Sequence, residues 1–220
     1  MIKRNELYVN FFNYKIKCCK CNETVEVAVL TSTNIFGSPD LDLRPPEMQR
    51  STMSIWIQEC PHCGYINYSL DEDNGIDREF LKNKEFASCD SAKIQYVLAC
   101  RFYKFYKILL ELKQIESAYS ALLRTAWCYD DAKDEKNAKL CRIKMIELFD
   151  DFPEKEKNEA VLAVHADVMR RAGMFEEVIK KYQNFAAKDE VIKQVIKFQI
   201  ALSIKCDDKC YTVADCMKNT

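Results

Sequence analysis

The sequence predicts an α+β fold, with a small β domain over residues 1–75 and an all-helical domain over residues 76–220. Short runs of alternating, β-branched residues lie before residue 75, together with nearly all the prolines and glycines. After residue 75, apolar residues recur at helical spacing, and Pro153 and Gly173 are the only helix-breaking residues. A composition of 48% hydrophobic and 30% charged residues is typical of a folded domain with a substantial core.

The first domain is expected to contain four strands that flank two cysteine pairs. Residues 14–17 lead into the first pair and residues 24–30 leave it. Residues 53–58 lead into the second pair and residues 65–69 leave it. The connection between the two hairpins contains Gly-Ser-Pro-Asp and Arg-Pro-Pro, which predicts a long loop without regular structure.

The two cysteine pairs predict a metal site. Each has the spacing Cys-x-x-Cys, which places both sulfurs on the same side of a tight turn. The predicted ligands are Cys18, Cys21, Cys60 and Cys63. The residue that follows each pair must tolerate a left-handed backbone, and Asn22 and Gly64 both can. Four thiolates at this spacing predict structural Zn²⁺ in a zinc ribbon.

Two alternatives concern the ligands and the metal. Cys19 competes with Cys18 as the partner of Cys21, although Cys18 has the usual spacing. His62 is expected outside the four-sulfur set, where it could donate a hydrogen bond to a ligand. Iron is the rival metal, since Cys-Pro-x-Cys-Gly also occurs in rubredoxins, but the first pair lacks that glycine. A closed four-thiolate site has no open position to activate water, so we expect no metal-based catalysis.

The second domain is expected to be a series of helices joined by short turns, which places neighbouring helices antiparallel. After a short helix over 77–84, the predicted helices span residues 92–112, 115–132, 135–149, 154–172, 175–187 and 190–206. An internal repeat with an offset of 40 residues aligns Leu122, Ala126, Tyr129, Ala138 and Met145 with Leu162, Ala166, Met169, Val178 and Phe185. Large and small residues alternate in it, as in tetratricopeptide-type hairpins, and Gly173 is expected to end a helix.

Several motifs together resemble a bacterial family, the domain of unknown function 2225. They are the two cysteine pairs, Asp-Leu-Asp-Leu-Arg-Pro-Pro at 40–46, Trp-Ile-Gln-Glu-Cys-Pro-His-Cys-Gly-Tyr at 56–65, and Ala-Leu-Leu-Arg-Thr-Ala-Trp-Cys-Tyr at 121–129. The resemblance implies a cytoplasmic zinc-ribbon protein with a helical-repeat tail and no established activity. The first pair departs from that family's Cys-Pro-x-Cys-Gly form at Cys19, Lys20 and Asn22.

The leading functional hypothesis is a non-enzymatic scaffold whose helical repeats bind a protein or peptide. It is favoured because no catalytic motif accompanies the repeat, and His165 falls at a packing position. We also predict a cytoplasmic protein, since no stretch approaches the roughly 20 apolar residues of a membrane span and the amino terminus lacks a signal-peptide pattern.

Two other hypotheses concern charged residues. Nucleic-acid binding would need a basic stripe built from Lys15, Lys17, Lys20, Arg44 and Arg50. Residues 1–86 carry 10 basic and 13 acidic side chains, which argues against a phosphate-binding surface there. An enzyme would need Asp40, Asp42 and Arg44 to converge in a pocket with altered protonation.

Overall fold

A computed structural model of the protein describes residues 10–83, 86 and 96–218, and these residues form two compact units. The cysteine unit comprises residues 10–37, 45–83 and 86, and the helical unit comprises residues 38–44 and 96–218. The arrangement confirms the α+β class. Residues 76–83 belong to the cysteine unit, whereas the sequence placed the boundary after residue 75. The segment 38–44 belongs to the helical unit although it lies between the cysteine pairs in sequence.

The cysteine unit contains two antiparallel hairpins. Strands β1 (Asn10–Lys17) and β2 (Thr24–Ser32) form the first, with Ile16 opposite Val25. Strands β3 (Gln58–Glu59) and β4 (Ile66–Asn67) form the second. Two short helices, α1 (Glu47–Arg50) and α2 (Arg78–Leu81), complete the unit. The Asp77 carboxylate accepts from the Glu79 N–H and caps α2.

The strand predicted over residues 53–58 is wrong for most of its length. Met53–Ile55 form a 3₁₀ helix, and only Gln58 and Glu59 pair as a strand. Met53 and Ile57 are both buried, and a spacing of four residues places side chains on one face of a helical turn. The Trp56 indole N–H donates to the Thr52 hydroxyl at 2.8 Å, again across four residues. The run of β-branched and aromatic residues therefore folds as a helical turn because its two apolar anchors are four apart.

The helical unit is built from seven helices in its described residues. They are α3 (Val97–Glu111), α4 (Ile115–Asp131), α5 (Glu135–Phe149), α6 (Glu159–Arg171), α7 (Phe175–Tyr182), α8 (Glu190–Ile204) and α9 (Val213–Lys218). Each of α3 to α8 packs against the next helix in sequence, and α6 also packs against α8. None of the described helices is long and apolar enough to cross a membrane.

Most predicted helix bounds hold to within a few residues, with two exceptions. The helix expected over residues 175–187 ends at Tyr182, five residues early. The helix expected from residue 154 begins at Glu159, since the Asn158 side chain accepts from the Val161 N–H at 3.0 Å and caps it there. Glu154–Glu156 form a separate 3₁₀ turn. The predicted start of α3 at residue 92 lies outside the described residues.

Four helices end in the same way, with a left-handed residue just beyond the last turn. Lys113, Lys133, Gly173 and Cys206 have φ values of 57°, 58°, 88° and 52°. At Gly173, its own N–H donates to Arg170 and the following N–H donates to Met169, which is the Schellman pattern. Gly173 thus ends α6, as the sequence predicts. Lys133 lies 40 residues earlier and ends α4 with the same bonds, in agreement with the internal repeat.

The segment 38–44 is anchored in the core of the helical unit. Leu41 is buried in an apolar cluster that includes Ala166 of α6, Val178 of α7 and Ile196 of α8. Its N–H donates to the carbonyl of Tyr211, and Asp40 forms a β-bridge with Thr212. These bonds explain why this segment leaves the unit that precedes and follows it in sequence.

Candidate functional site

The four predicted ligand sulfurs converge in the cysteine unit. The Sγ atoms of Cys18, Cys21, Cys60 and Cys63 all lie within 4.8 Å of one another. The Cys18–Cys63 separation is 3.8 Å and the Cys21–Cys60 separation is 3.6 Å. A tetrahedron with metal–sulfur bonds of about 2.3 Å has sulfur–sulfur edges of about 3.8 Å. The sulfur positions therefore fit a single four-thiolate metal ion.

Each pair of cysteines is held by the same backbone turn. In the first pair, the Asn22 N–H donates to the Cys18 carbonyl at 2.8 Å. In the second, the Gly64 N–H donates to the Cys60 carbonyl at 2.9 Å. Asn22 and Gly64 have φ values of 66° and 72°, in the left-handed region that the sequence argument requires after each pair. Two turns of one geometry thus present two sulfurs each.

The thiol pKa values reflect how closely these sulfurs are packed and how far they are buried. Burial raises the pKa of the Cys60 and Cys63 thiols above the ordinary value. Backbone N–H groups act in the opposite direction: that of Tyr65 lowers the pKa of Cys63, and that of Glu23 lowers the pKa of Cys21. Four thiolates this close would repel one another, and a divalent cation removes that cost. Sulfur geometry alone fits zinc and iron equally.

Cys19 and His62 lie outside the cluster. The Cys19 thiol is 3.5 Å from the Glu72 carbonyl, and its N–H donates to the Leu70 carbonyl at 2.8 Å. These contacts turn Cys19 towards the segment that follows β4, and Cys18 supplies the first sulfur instead. His62 is exposed.

The proposed basic stripe is not assembled, because three of its five members have other partners. Lys20 is 8% exposed, and its Nζ donates to the Asp73 carboxylate and the Ile76 carbonyl, both at 2.6 Å. Arg50 donates to the Pro45 carbonyl at 2.9 Å. Arg44 pairs with Asp131 in the helical unit. Sequence inspection missed the inward position of Lys20, for which the acidic run at 71–73 was the available signal.

The loop Asp40–Arg44 forms a closed turn. The Leu43 N–H donates to the Asp40 carbonyl at 2.9 Å, and the Asp40 N–H donates to the Arg44 carbonyl at 2.9 Å. Leu43 has a φ of 64°, which is rare for a bulky residue, and its side chain is 58% exposed. The turn places Asp42 inward and Leu43 outward.

Asp42 is the centre of a buried polar network in the helical unit. Its Oδ2 accepts from the Trp127 indole N–H at 2.7 Å and from Arg171 at 3.1 Å. Arg171 also donates to Asp130 at 2.8 Å, and Arg142 donates to Asp130 through two nitrogens at 3.1 and 2.6 Å. The network joins the loop to the ends of α4 and α6.

The charges in this network shift one another's protonation. Burial raises the pKa of Asp42, and the Asp167 carboxylate raises it further, although Arg171 acts in the opposite direction. Burial would also raise the pKa of Asp130, but Arg142 and Arg171 hold it below its ordinary value. Asp130 therefore remains ionised and is the counter-ion of both arginines.

A cavity of about 380 Å³ lies beside this loop. Tyr119, Leu123 and Trp127 line it from one face of α4, and Val161 and Val164 line it from α6. Of the predicted loop residues Asp40, Asp42 and Arg44, only Asp42 contributes to the lining, together with Leu43. A cavity of this size with mainly apolar walls can accept one or two apolar side chains.

His165 is a core residue, as its place in the repeat predicts. Its ring stacks on Phe149 with centroids 3.7 Å apart, and its Nδ1 lies 3.2 Å from the Tyr119 hydroxyl. Burial lowers the pKa of His165 to about 3, and Lys181 and Lys157 lower it further. The imidazole is therefore neutral at pH 7.

No family model matches this chain, and no curated protein or solved structure does either. The resemblance to the domain of unknown function 2225 stays a prediction.

Proposed function

We propose that this protein is a zinc-bearing interaction scaffold. A structural Zn²⁺ ion bound by the four clustered cysteines would stabilise the cysteine unit, and the cavity between α4 and α6 would receive apolar side chains of a peptide segment from another protein. The observation that carries the scaffold proposal is that cavity, because its apolar walls and the strained, exposed Leu43 occur together.

The metal proposal is tested by metal analysis of the purified protein. We expect one zinc per chain, and a coloured, iron-containing protein would contradict the choice of zinc. Cys60→Ser should lower the metal content to near zero, since it removes one of four ligands. Cys19→Ser is the matched control, because Cys19 is adjacent to a ligand but outside the cluster, and it should keep one zinc.

Three features of the cavity between α4 and α6 support a peptide partner. Its walls come from two helices that are related by the internal repeat, so a segment lying between them would contact both copies. The leucine at its edge is exposed and adopts a backbone angle that costs about 1 kcal/mol. Strained residues of this kind occur mainly at sites that bind a ligand or a partner.

Affinity capture with a matched pair of variants tests the scaffold proposal. Val161→Lys introduces a charge into the cavity, and Val191→Lys makes the same change in the first turn of α8, outside it. We expect the wild type and Val191→Lys to capture the same proteins, and we expect Val161→Lys to lose them. A partner set that is the same for all three proteins contradicts the proposal.

The geometry supports an anchoring role for Asp42 better than acid–base catalysis. Its Oδ2 accepts two hydrogen bonds, and its Oδ1 accepts from the Arg44 N–H at 3.2 Å. A general acid or base must present an oxygen to substrate. Asp42 is 1% exposed and commits both oxygens to protein groups, so we propose that it holds the loop.

A further inference from the structure

A second cavity of the helical unit, of about 340 Å³, is lined by charged groups. Three acidic side chains and five cations line it, so the lining has an excess of two positive charges in a chain of net charge −1. The cations are Lys133, Lys139, Arg142, Arg171 and Lys209. A concentration of one charge sign in a concave site attracts ligands of the opposite sign.

Two buried arginines lie on one side of this cavity. Arg142 is 2% exposed and Arg171 is 7% exposed, and both donate to the Asp130 carboxylate. The Nε–H group of each has no acceptor in the described part of the chain. Asp130 bonds both guanidinium groups and Asp42 also bonds Arg171, so two carboxylates balance the two arginines.

A loop that also lines this cavity, through Asp208, Lys209 and Cys210, is held by several contacts. Arg170 donates to the carbonyls of Asp207 and Lys209 at 2.6 and 2.9 Å. Asp208 pairs with Lys139 of α5 at 2.7 Å. These contacts fix the backbone from which Lys209 extends, so the cavity does not have to form when a ligand arrives.

Two lysines of the cavity are available to a ligand. Lys133 and Lys209 are exposed, and within the described ranges neither forms an ion pair with a carboxylate. Lys133 also has a fixed backbone, since it is the left-handed residue that ends α4. Both ammonium groups can therefore approach a ligand without breaking an existing ion pair.

We propose that this cavity binds a small phosphorylated molecule, with Lys133 and Lys209 contacting the phosphate. A phosphate monoester carries about −1.5 to −2 charges at pH 7, which two ammonium groups can balance. The volume is that of a metabolite site rather than of an extended polymer groove. This proposal does not depend on the peptide-binding role proposed for the cavity between α4 and α6.

Calorimetric titration with pyrophosphate at constant ionic strength tests the proposal. We expect saturable binding by the wild type and an affinity at least about tenfold weaker for Lys133→Gln/Lys209→Gln. The control is Lys113→Gln/Lys205→Gln, which removes two exposed lysines outside the cavity and should bind as the wild type. Absence of saturable binding up to about 10 mM, or equal weakening in both double variants, would overturn the proposal.

A second measurement locates the ligand. Cys206 and Cys210 are both exposed, but of the two only Cys210 lines the cavity. Alkylation by iodoacetamide, a neutral reagent, followed by peptide mass spectrometry should show pyrophosphate slowing the modification of Cys210 several-fold and leaving Cys206 unchanged. Equal rates at Cys210 with and without pyrophosphate would overturn the assignment of binding to this cavity.

Discussion

Single residues in this protein are governed by burial more than by their sequence neighbours. Lys20, Asp42 and His165 are ordinary polar residues in the sequence, yet each is at least nine-tenths buried with named hydrogen-bond partners. A polar group pays a desolvation cost on burial unless such partners replace water. Their roles are therefore structural.

His165 should make the protein less stable as the pH falls. Its pKa in the folded chain is about 3, below the ordinary value of 6.5, so between these values the unfolded chain binds a proton that the folded chain does not. The stabilisation is complete above about pH 6.5 and is lost towards pH 3, by about 1.4 kcal/mol per pH unit at most.

Urea denaturation of wild type and His165→Gln at pH 7, 6, 5 and 4.5 checks this expectation. Glutamine does not titrate, so the stability difference between the two proteins should move in favour of the variant by about 1 kcal/mol per unit below pH 6. The control is His62→Gln, at an exposed histidine, which should follow the wild type. A difference that is constant across this range would contradict the buried, neutral state of His165.

Among the secondary-structure elements, those with a regular sequence pattern were predictable, whereas those that depart from their local pattern were not. Helices α4, α5 and α8 lie within about two residues of their predicted bounds because their apolar residues recur at helical spacing without interruption. The ligand pairs were equally clear from Cys-x-x-Cys spacing. The 3₁₀ turn at Met53–Ile55 was missed because β-branched and aromatic residues favour strands on average, while burial of Met53 with Ile57 decides the local outcome.

The cavities were also not predictable. Tyr119 and Trp127 of α4 line one of them together with Val161 of α6, and only the packing of these two helices brings the residues together. The pairing of Asp42 with Arg171 spans 129 residues, and one sequence contains no signal for such a contact. Motifs are local, whereas these sites are assembled by tertiary structure.

The shared helix ending predicts opposite effects for two substitutions. Gly173→Lys should destabilise the protein by about 1 kcal/mol, because a side chain at φ 88° is strained. An added Cβ there meets no atom within 4 Å, so the cost is in the backbone alone. Lys113→Gly should stabilise by about 0.5 kcal/mol, since glycine relieves the same strain at φ 57° but gains entropy when unfolded.

Midpoints of urea unfolding measure both changes. Lys113 is exposed and lies outside the charged cavity. Its replacement therefore changes the stability of the protein mainly through the backbone strain at this residue. Shifts of the same sign in both variants would contradict the left-handed geometry assigned to these helix ends.

The whole molecule divides into two units that are stabilised in different ways. The cysteine unit has a small core, and its second hairpin has strands of only two residues, so a four-thiolate ion would supply much of its folding free energy. The helical unit has its own apolar clusters and buried ion pairs. The segment 38–44 belongs to the helical unit, although one cysteine pair precedes it and the other follows it in the chain.

Removal of the metal should therefore unfold one unit and spare the other. After chelation, hydrogen exchange measured by mass spectrometry should accelerate at least about tenfold in residues 16–27 and 58–70, and remain unchanged in α4 to α8. The N–H of Leu41 should stay protected, because it donates to the Tyr211 carbonyl and its side chain is buried among helices. Cys60→Ser should reproduce this pattern without chelator, and Cys19→Ser should not. Simultaneous loss of protection in α4 to α6 would mean that the helical unit depends on the metal, contrary to a core built from its own residues.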